Sequence, residues 1–131
     1  MIIETKEVSQ NIVMIFEKTA GKVIQLKRDS GTKYIGAFVD GKIVGFCGYM
    51  ETAGHIRMKA DYVIPSMRGK GVYTRLFEER EAICTKLAKE KGYKKFSAFS
   101  SKMSRGTFKK FGFIEIKQVR ERTAYMEKQV K

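Results

Sequence analysis

Histidine and proline each occur once in this sequence and cysteine twice, and each scarcity removes a class of protein. A zinc site draws on clustered histidine and cysteine, whereas Cys47 and Cys84 lie far from metal-ligand spacing, so no metal is expected. Both cysteines sit in apolar surroundings, as buried thiols of a reducing compartment do. No apolar run exceeds five residues, against about 20 for a membrane-spanning helix. The opening MIIETKEVSQ has neither the basic start nor the apolar stretch of a secretory signal. The expectation is a cytoplasmic protein with no membrane association.

Acidic residues are also few. Fourteen Asp and Glu face 27 Lys and Arg, for a net charge of +13. A surplus of that size attracts polyanions and speeds their encounter. Nucleic acid, an anionic protein surface and a phosphate-rich cofactor are all compatible with it. The 131 residues suffice for one domain with a proper core, and residues 1–131 read as a single domain.

Ser9 or Asn11 can cap a helix that runs toward Lys27, with Ile12, Ile15 and Phe16 on one face and Gly21 as a break. In KYIGAFVDGKIVGFCGYM, Asp40-Gly41 supplies the positive φ angles of a tight hairpin between two strands. HIRMKADYVIP follows as a third strand, ended by Pro65, whose missing N–H cannot continue a ladder. From Val72 to Lys91 the period is helical: Val72, Leu76, Ile83 and Leu87 share a face, flanked by Phe77, Cys84 and Ala88, and Gly92 closes the helix. KKFSAFS reads as a strand and SRGTFKKF as a short helix ended by Gly112. FIEIKQV and RTAYMEKQV read as a final strand pair. The order implies a mixed sheet with helices packed on it.

Arg68-Gly69-Lys70-Gly71 joins the third strand to the long helix. The first N–H groups of a helix lack internal partners, and the helix dipole adds partial positive charge there. Glycine lets a ligand approach the backbone with no Cβ in the way. The arrangement suits a pyrophosphate. It is not a P-loop, which ends in Gly-Lys-Ser/Thr, nor a dinucleotide-binding fingerprint, whose glycines are spaced differently.

YVIPSMRGKGVYTRLFEE resembles the acetyl-CoA-binding motif of the GNAT superfamily of N-acyltransferases, in which a strand ending in V-x-P leads to Arg/Gln-x-x-Gly-x-Gly/Ala at the start of the long helix. Arg68 and Gly71 match the first two motif positions. SRGTFKKFGFIEI resembles the family's later segment, a short helix ending in Gly-Phe, at Gly112 and Phe113. The resemblance spans about the last three-quarters of the chain. It implies an α+β fold with a mixed, mostly antiparallel central sheet and helices on both faces. It implies acetyl-CoA as cosubstrate, with the backbone at Val63 and Ile64 pairing with the pantetheine arm. The N–H groups of Arg68, Gly69, Lys70, Gly71, Val72 and Tyr73 would then cradle the pyrophosphate.

Three positions depart from the family pattern. Tyr73 stands where the motif closes on Gly or Ala. Phe108 stands where many members carry a tyrosine that protonates the leaving thiolate, and it reads better as a core residue beside Phe111. Arg57 stands where part of the family carries a glutamate base. Regular alternation would put His55, Arg57, Lys59, Asp61 and Val63 on one face. Asp61 is then the carboxylate nearest the expected thioester, as a base acting directly or through water, or as the partner of a nearby lysine. Catalysis by positioning with water as base is the alternative.

The resemblance implies acyl transfer from acetyl-CoA to an amine by direct attack. The net charge of +13 leaves the acceptor open, with a protein amine or a nucleic-acid-linked one expected over a small cationic amine, and the protein is expected to be a monomer or homodimer. A GNAT-fold domain that binds nucleic acid without catalysis, or an acyl-CoA sensor, is the other reading.

Overall fold

The structure, a computed structural model, describes residues 1–20 and 31–130. Seven strands form one sheet in the order β1-β2-β3-β4-β5-β7-β6. β1 (Glu4–Val8), β2 (Lys33–Val39), β3 (Lys42–Thr52) and β4 (His55–Val63) pair antiparallel in succession. β5 (Lys95–Ser101) pairs parallel with β4, and β7 (Thr123–Gln129) lies antiparallel between β5 and β6 (Ile114–Arg120). Asp40 and Gly41 both take positive φ (51° and 76°), so the expected tight turn joins β2 to β3.

Two clusters cover the two faces. α1 (Gln10–Ala20) places Val13 and Phe16 against Tyr34 and Phe46 on one face. α2 (Val72–Lys91) packs on the other, over Ile35, Cys47, Tyr49, Ile56 and Met58. α3 (Lys102–Lys110) adds Phe108 to the α2 side, where Phe77, Phe108 and Phe113 meet edge to face. The expected α+β architecture, mostly antiparallel with helices on both faces, is the one observed.

Three details differ from the sequence reading, and one expectation lies outside the described residues. β1 went unread, because ETKEV carries three charges and shows no apolar alternation; its strand character comes from pairing with β2. α1 is described only to Ala20, and the segment toward Lys27 lies outside the described residues. The buried stripe of α2 is Val72, Leu76, Phe77, Arg80, Cys84 and Ala88, rotated from the expected one, with Ile83 and Leu87 only partly buried. The last difference is in β4. Phe46 faces Tyr62 and Gly48 faces Lys59, so Ala60 and Asp61 together oppose Cys47. Ala60 takes φ +63°, as a bulge allows at some cost in strain.

The bulge reverses the alternation. Ile56 and Met58 face α2 before it and Val63 faces α2 after it, while Ala60 and Tyr62 turn toward α1. His55 and Arg57 therefore lie on the face opposite Asp61 and Val63. His55 bonds Ser97 and Arg57 stacks over Phe99. The five residues expected on one face are split.

Candidate active site

β4 and β5 pair only from Ile56↔Phe96 to Met58↔Ala98. Beyond Met58 they part, and a cavity of about 550 Å³ opens between them. Its walls are β4 from Met58 to Val63, the turn around Arg68, Gly69 and Gly71, Tyr73 and Thr74 of α2, Phe99 and Ser101 of β5, and Ser104, Thr107 and Phe108 of α3. Hydroxyls and one edge of β4 thus face a partly apolar chamber.

At its mouth the chain takes left-handed turns at Gly69 (φ +73°) and Gly71 (φ +87°), and a Cβ on either would meet nothing within 4 Å. Gly71 is the N-cap of α2 and brings no side-chain cap, and the first turn holds no acidic residue. The first helical bond runs from the Arg75 N–H to the Gly71 carbonyl. The N–H groups ahead of it have no helical acceptor, which leaves a donor cluster at the positive end of the dipole. Open space, free donors and Lys70 fit a pyrophosphate. Val72 contributes only backbone, since its side chain is buried in the core.

The pantetheine edge is narrower than expected. The Ile64 N–H bonds the Val44 carbonyl at 2.9 Å and is committed to β3. In the same trans peptide the Val63 carbonyl points the other way, toward the open edge, where it accepts from Arg68 Nε at 3.0 Å. Arg68 also lies over the Tyr62 ring, 5.5 Å from its centroid. Val63 rather than Ile64 offers the pairing group, and Arg68 holds it.

Asp61 lines the cavity, and its partner is not a lysine. Arg80 Nη1 donates to Asp61 Oδ1 at 2.5 Å and Nη2 to Oδ2 at 3.0 Å. The Tyr73 hydroxyl donates to Oδ2 as well. Arg80 is fully buried; Nη1 also reaches the Gly48 carbonyl at 3.2 Å, and the guanidinium lies over Phe77, 4.6 Å from its centroid. Burial is the largest single influence and opposes its charge, but the Asp61 carboxylate, through its charge and its hydrogen bonds, together with Cys47 and Tyr73 outweighs it and the Arg80 pKa rises. The Tyr73 pKa rises too, through burial first and the Asp61 charge second, so its hydroxyl stays protonated. Phe108 lines the cavity from a 2% exposed position, its ring centroid 5.0 Å from those of Phe77 and Phe113.

Sequence reasoning passed over Arg80. Its signal was available: it occupies the i+4 position between Leu76 and Cys84, a charge on the buried face of a helix. Phe99, Ser101, Ser104 and Thr107 are likewise brought to the cavity by the parting of β4 and β5, which no local pattern announces.

The mixed sheet parts beside a glycine turn at the N-terminus of α2. Residues 5–125 match the family described as Acetyltransferase (GNAT) domain, and the chain belongs to that family. Members use acetyl-CoA as acyl donor. Among solved structures the chain is similar to the ribosomal-protein-S18-alanine N-acetyltransferase from Escherichia coli, with a TM-score of 0.78 and 10% identity over 99% of this chain and 95% of that one. Escherichia coli ElaA matches with a TM-score of 0.75 and 14% identity over 95% and 99% of the two chains. The PaiA N-acetyltransferase from Thermoplasma acidophilum, in complex with coenzyme A, matches at 0.62 and 22% over 76% of this chain, which spans 61% of that one. These likenesses show the fold. No curated protein matches the chain by sequence. No helix among the described residues is long and apolar enough to cross a membrane.

Proposed function

We propose that this chain is an N-acetyltransferase that binds acetyl-CoA along the open edge of β4 and acetylates an amine held in the cavity. The observation that carries the reading is the uncapped, left-handed Gly69-Gly71 turn opening on the gap between β4 and β5. Acetyl-CoA supplies a thioester carbonyl that an amine attacks directly. The N–H groups from Gly69 to Tyr73 hold the pyrophosphate, the Arg68 N–H being bonded to the Pro65 carbonyl at 3.3 Å, and Val63 aligns the pantetheine arm once the Arg68 side chain yields its carbonyl. Neither cysteine reaches the site: both are buried and lie outside the cavity wall. No acyl-enzyme step is needed.

Asp61 is assigned a positioning role. Joined to Arg80 and Tyr73, it pins the bulged strand to the first turns of α2, so the cavity wall and the phosphate turn move as one. Rate enhancement then comes chiefly from holding amine and thioester in register. The test is coenzyme A release from acetyl-CoA across a panel of amines, with the product identified by mass. A second reading is favoured by Phe108, which places a ring where many members donate a proton: the chain binds acyl-CoA as a sensor without turnover. Cofactor binding with no release on any amine would establish it.

A further inference from the structure

The side chains packed beneath α1 come from β1 to β4, with none from β5, β6 or β7. On those three strands Phe96, Ala98, Ala124 and Met126 face α2, so the residues alternating with them turn to the other face of the sheet. There the register sets Phe99, Tyr125 and Lys117 side by side in one row, and Ser101, Thr123 and Arg120 in the next. Phe99 is 46% exposed, its ring centroid 5.2 Å from that of Tyr125. Arg57 stacks over Phe99 from the β4 side, 4.7 Å from the centroid, and its Nε is buried without a hydrogen-bond partner. Two rings thus lie between an arginine on one flank and the exposed Lys117 and Arg120 on the other. Among the described residues none of these three cations forms an ion pair. Glu127, a carboxylate of this face, is already engaged: it accepts from Lys95 at 2.8 Å and from the Tyr125 hydroxyl at 2.6 Å. Glu121 and Arg122, in the turn between β6 and β7, offset each other in charge.

We propose that this face of β5, β7 and β6 is a docking platform for single-stranded RNA. An unpaired base stacks on Phe99, with Tyr125 as its second support, and the neighbouring phosphates lie against Arg57 on one side and Lys117 and Arg120 on the other. An acidic peptide would satisfy the cations and leave the rings uncovered. A duplex hides its base faces and does not fit. The Thr123 hydroxyl, between Ser101 and Arg120, meets a ribose 2′-hydroxyl, the group that separates RNA from DNA. Phe99 and Ser101 also line the cavity, so a strand on the platform runs past its mouth. The proposal stands apart from the transferase reading, since docking needs neither acetyl-CoA nor turnover.

The test is fluorescence anisotropy of the full chain with a short labelled RNA single strand of mixed sequence, at low salt and without acetyl-CoA. Affinity should fall with salt on a log–log plot with a slope of about −2, or about 0.7 for each of three phosphates neutralised. Phe99→Ala changes no charge and should weaken binding at least about fivefold. Replacing Lys117 and Arg120 together by alanine should weaken it at least about tenfold and make the slope shallower by about 1.4. The control replaces Lys89 and Lys91, in the last turn of α2, by alanine. It removes the same charge elsewhere and should change affinity less than about twofold. Melting curves establish that each variant is folded. Equal losses in the two double variants would mean diffuse charge and overturn the proposal, as would full affinity in Phe99→Ala. Equal binding of DNA of the same sequence, of an abasic strand or of polyglutamate would overturn it as well, and so would the absence of RNA binding at low salt.

Discussion

Arg80 of α2 and Asp61 of β4 form a two-bond ion pair inside the protein, the arginine fully buried and the carboxylate 11% exposed. The pair ties the helix that begins at the phosphate turn to the strand that carries the bulge. A buried pair is weak evidence for net stability, because desolvation offsets most of the attraction. Its loss is another matter, since one partner is then left charged and alone.

Asp61→Asn and Arg80→Met should each destabilise the fold by about 3–5 kcal/mol, and the double variant by less than the sum. Urea denaturation of the four proteins measures this directly. Full additivity would mean that the pair acts as two independent groups.

Phe108→Ala should cost about 3–5 kcal/mol, the range for a buried aromatic truncated among close neighbours. Phe77 and Phe113, each 5.0 Å away, would lose their edge-to-face contacts. A loss under about 1 kcal/mol in denaturant would show instead that the ring serves the cavity more than the core.

Burial pushes the Cys47 and Cys84 thiols up to about 12, and Tyr49 to about 12 as well. Between pH 9 and 12 these groups keep their protons in the folded chain, while the thiols begin to lose theirs near 9 on unfolding. The unfolded state then binds fewer protons, so stability is complete below pH 9 and falls as pH rises toward 12. Denaturation midpoints should drop steadily between pH 8.5 and 10.5. Double Cys47→Ala and Cys84→Ala replacement should flatten that slope, and an unchanged slope would place the titration elsewhere.

The glycine turn was legible because its chemistry is local: two glycines, two cations, a proline before and an apolar period after. The Asp40-Gly41 hairpin was legible for the same reason. The bulge at Ala60 and Asp61 was not, since alanine gives no sign of a positive φ and the bulge is fixed by pairing with β3. That one extra residue moved Asp61 to the α2 face and turned an expected base into the partner of Arg80. Ile64 likewise read as a cofactor residue from its place in the motif, and only the ladder to Val44 shows its N–H to be engaged. Local signals pointed to the candidate site, while long-range pairing decided which of its groups are engaged.

The central claim is that the turn from Arg68 to Tyr73 holds the phosphates of acetyl-CoA, and calorimetric titration of wild type and Gly71→Val tests it most directly. At φ +87° with open space around it, Gly71 would present its backbone to the ligand, and a branched side chain there would occupy the approach and strain the turn. Wild type should bind acetyl-CoA with a measurable heat and a raised melting temperature. The variant, shown by its melting curve to be folded, should lose at least about tenfold in affinity. Equal affinity in the two proteins would contradict the account.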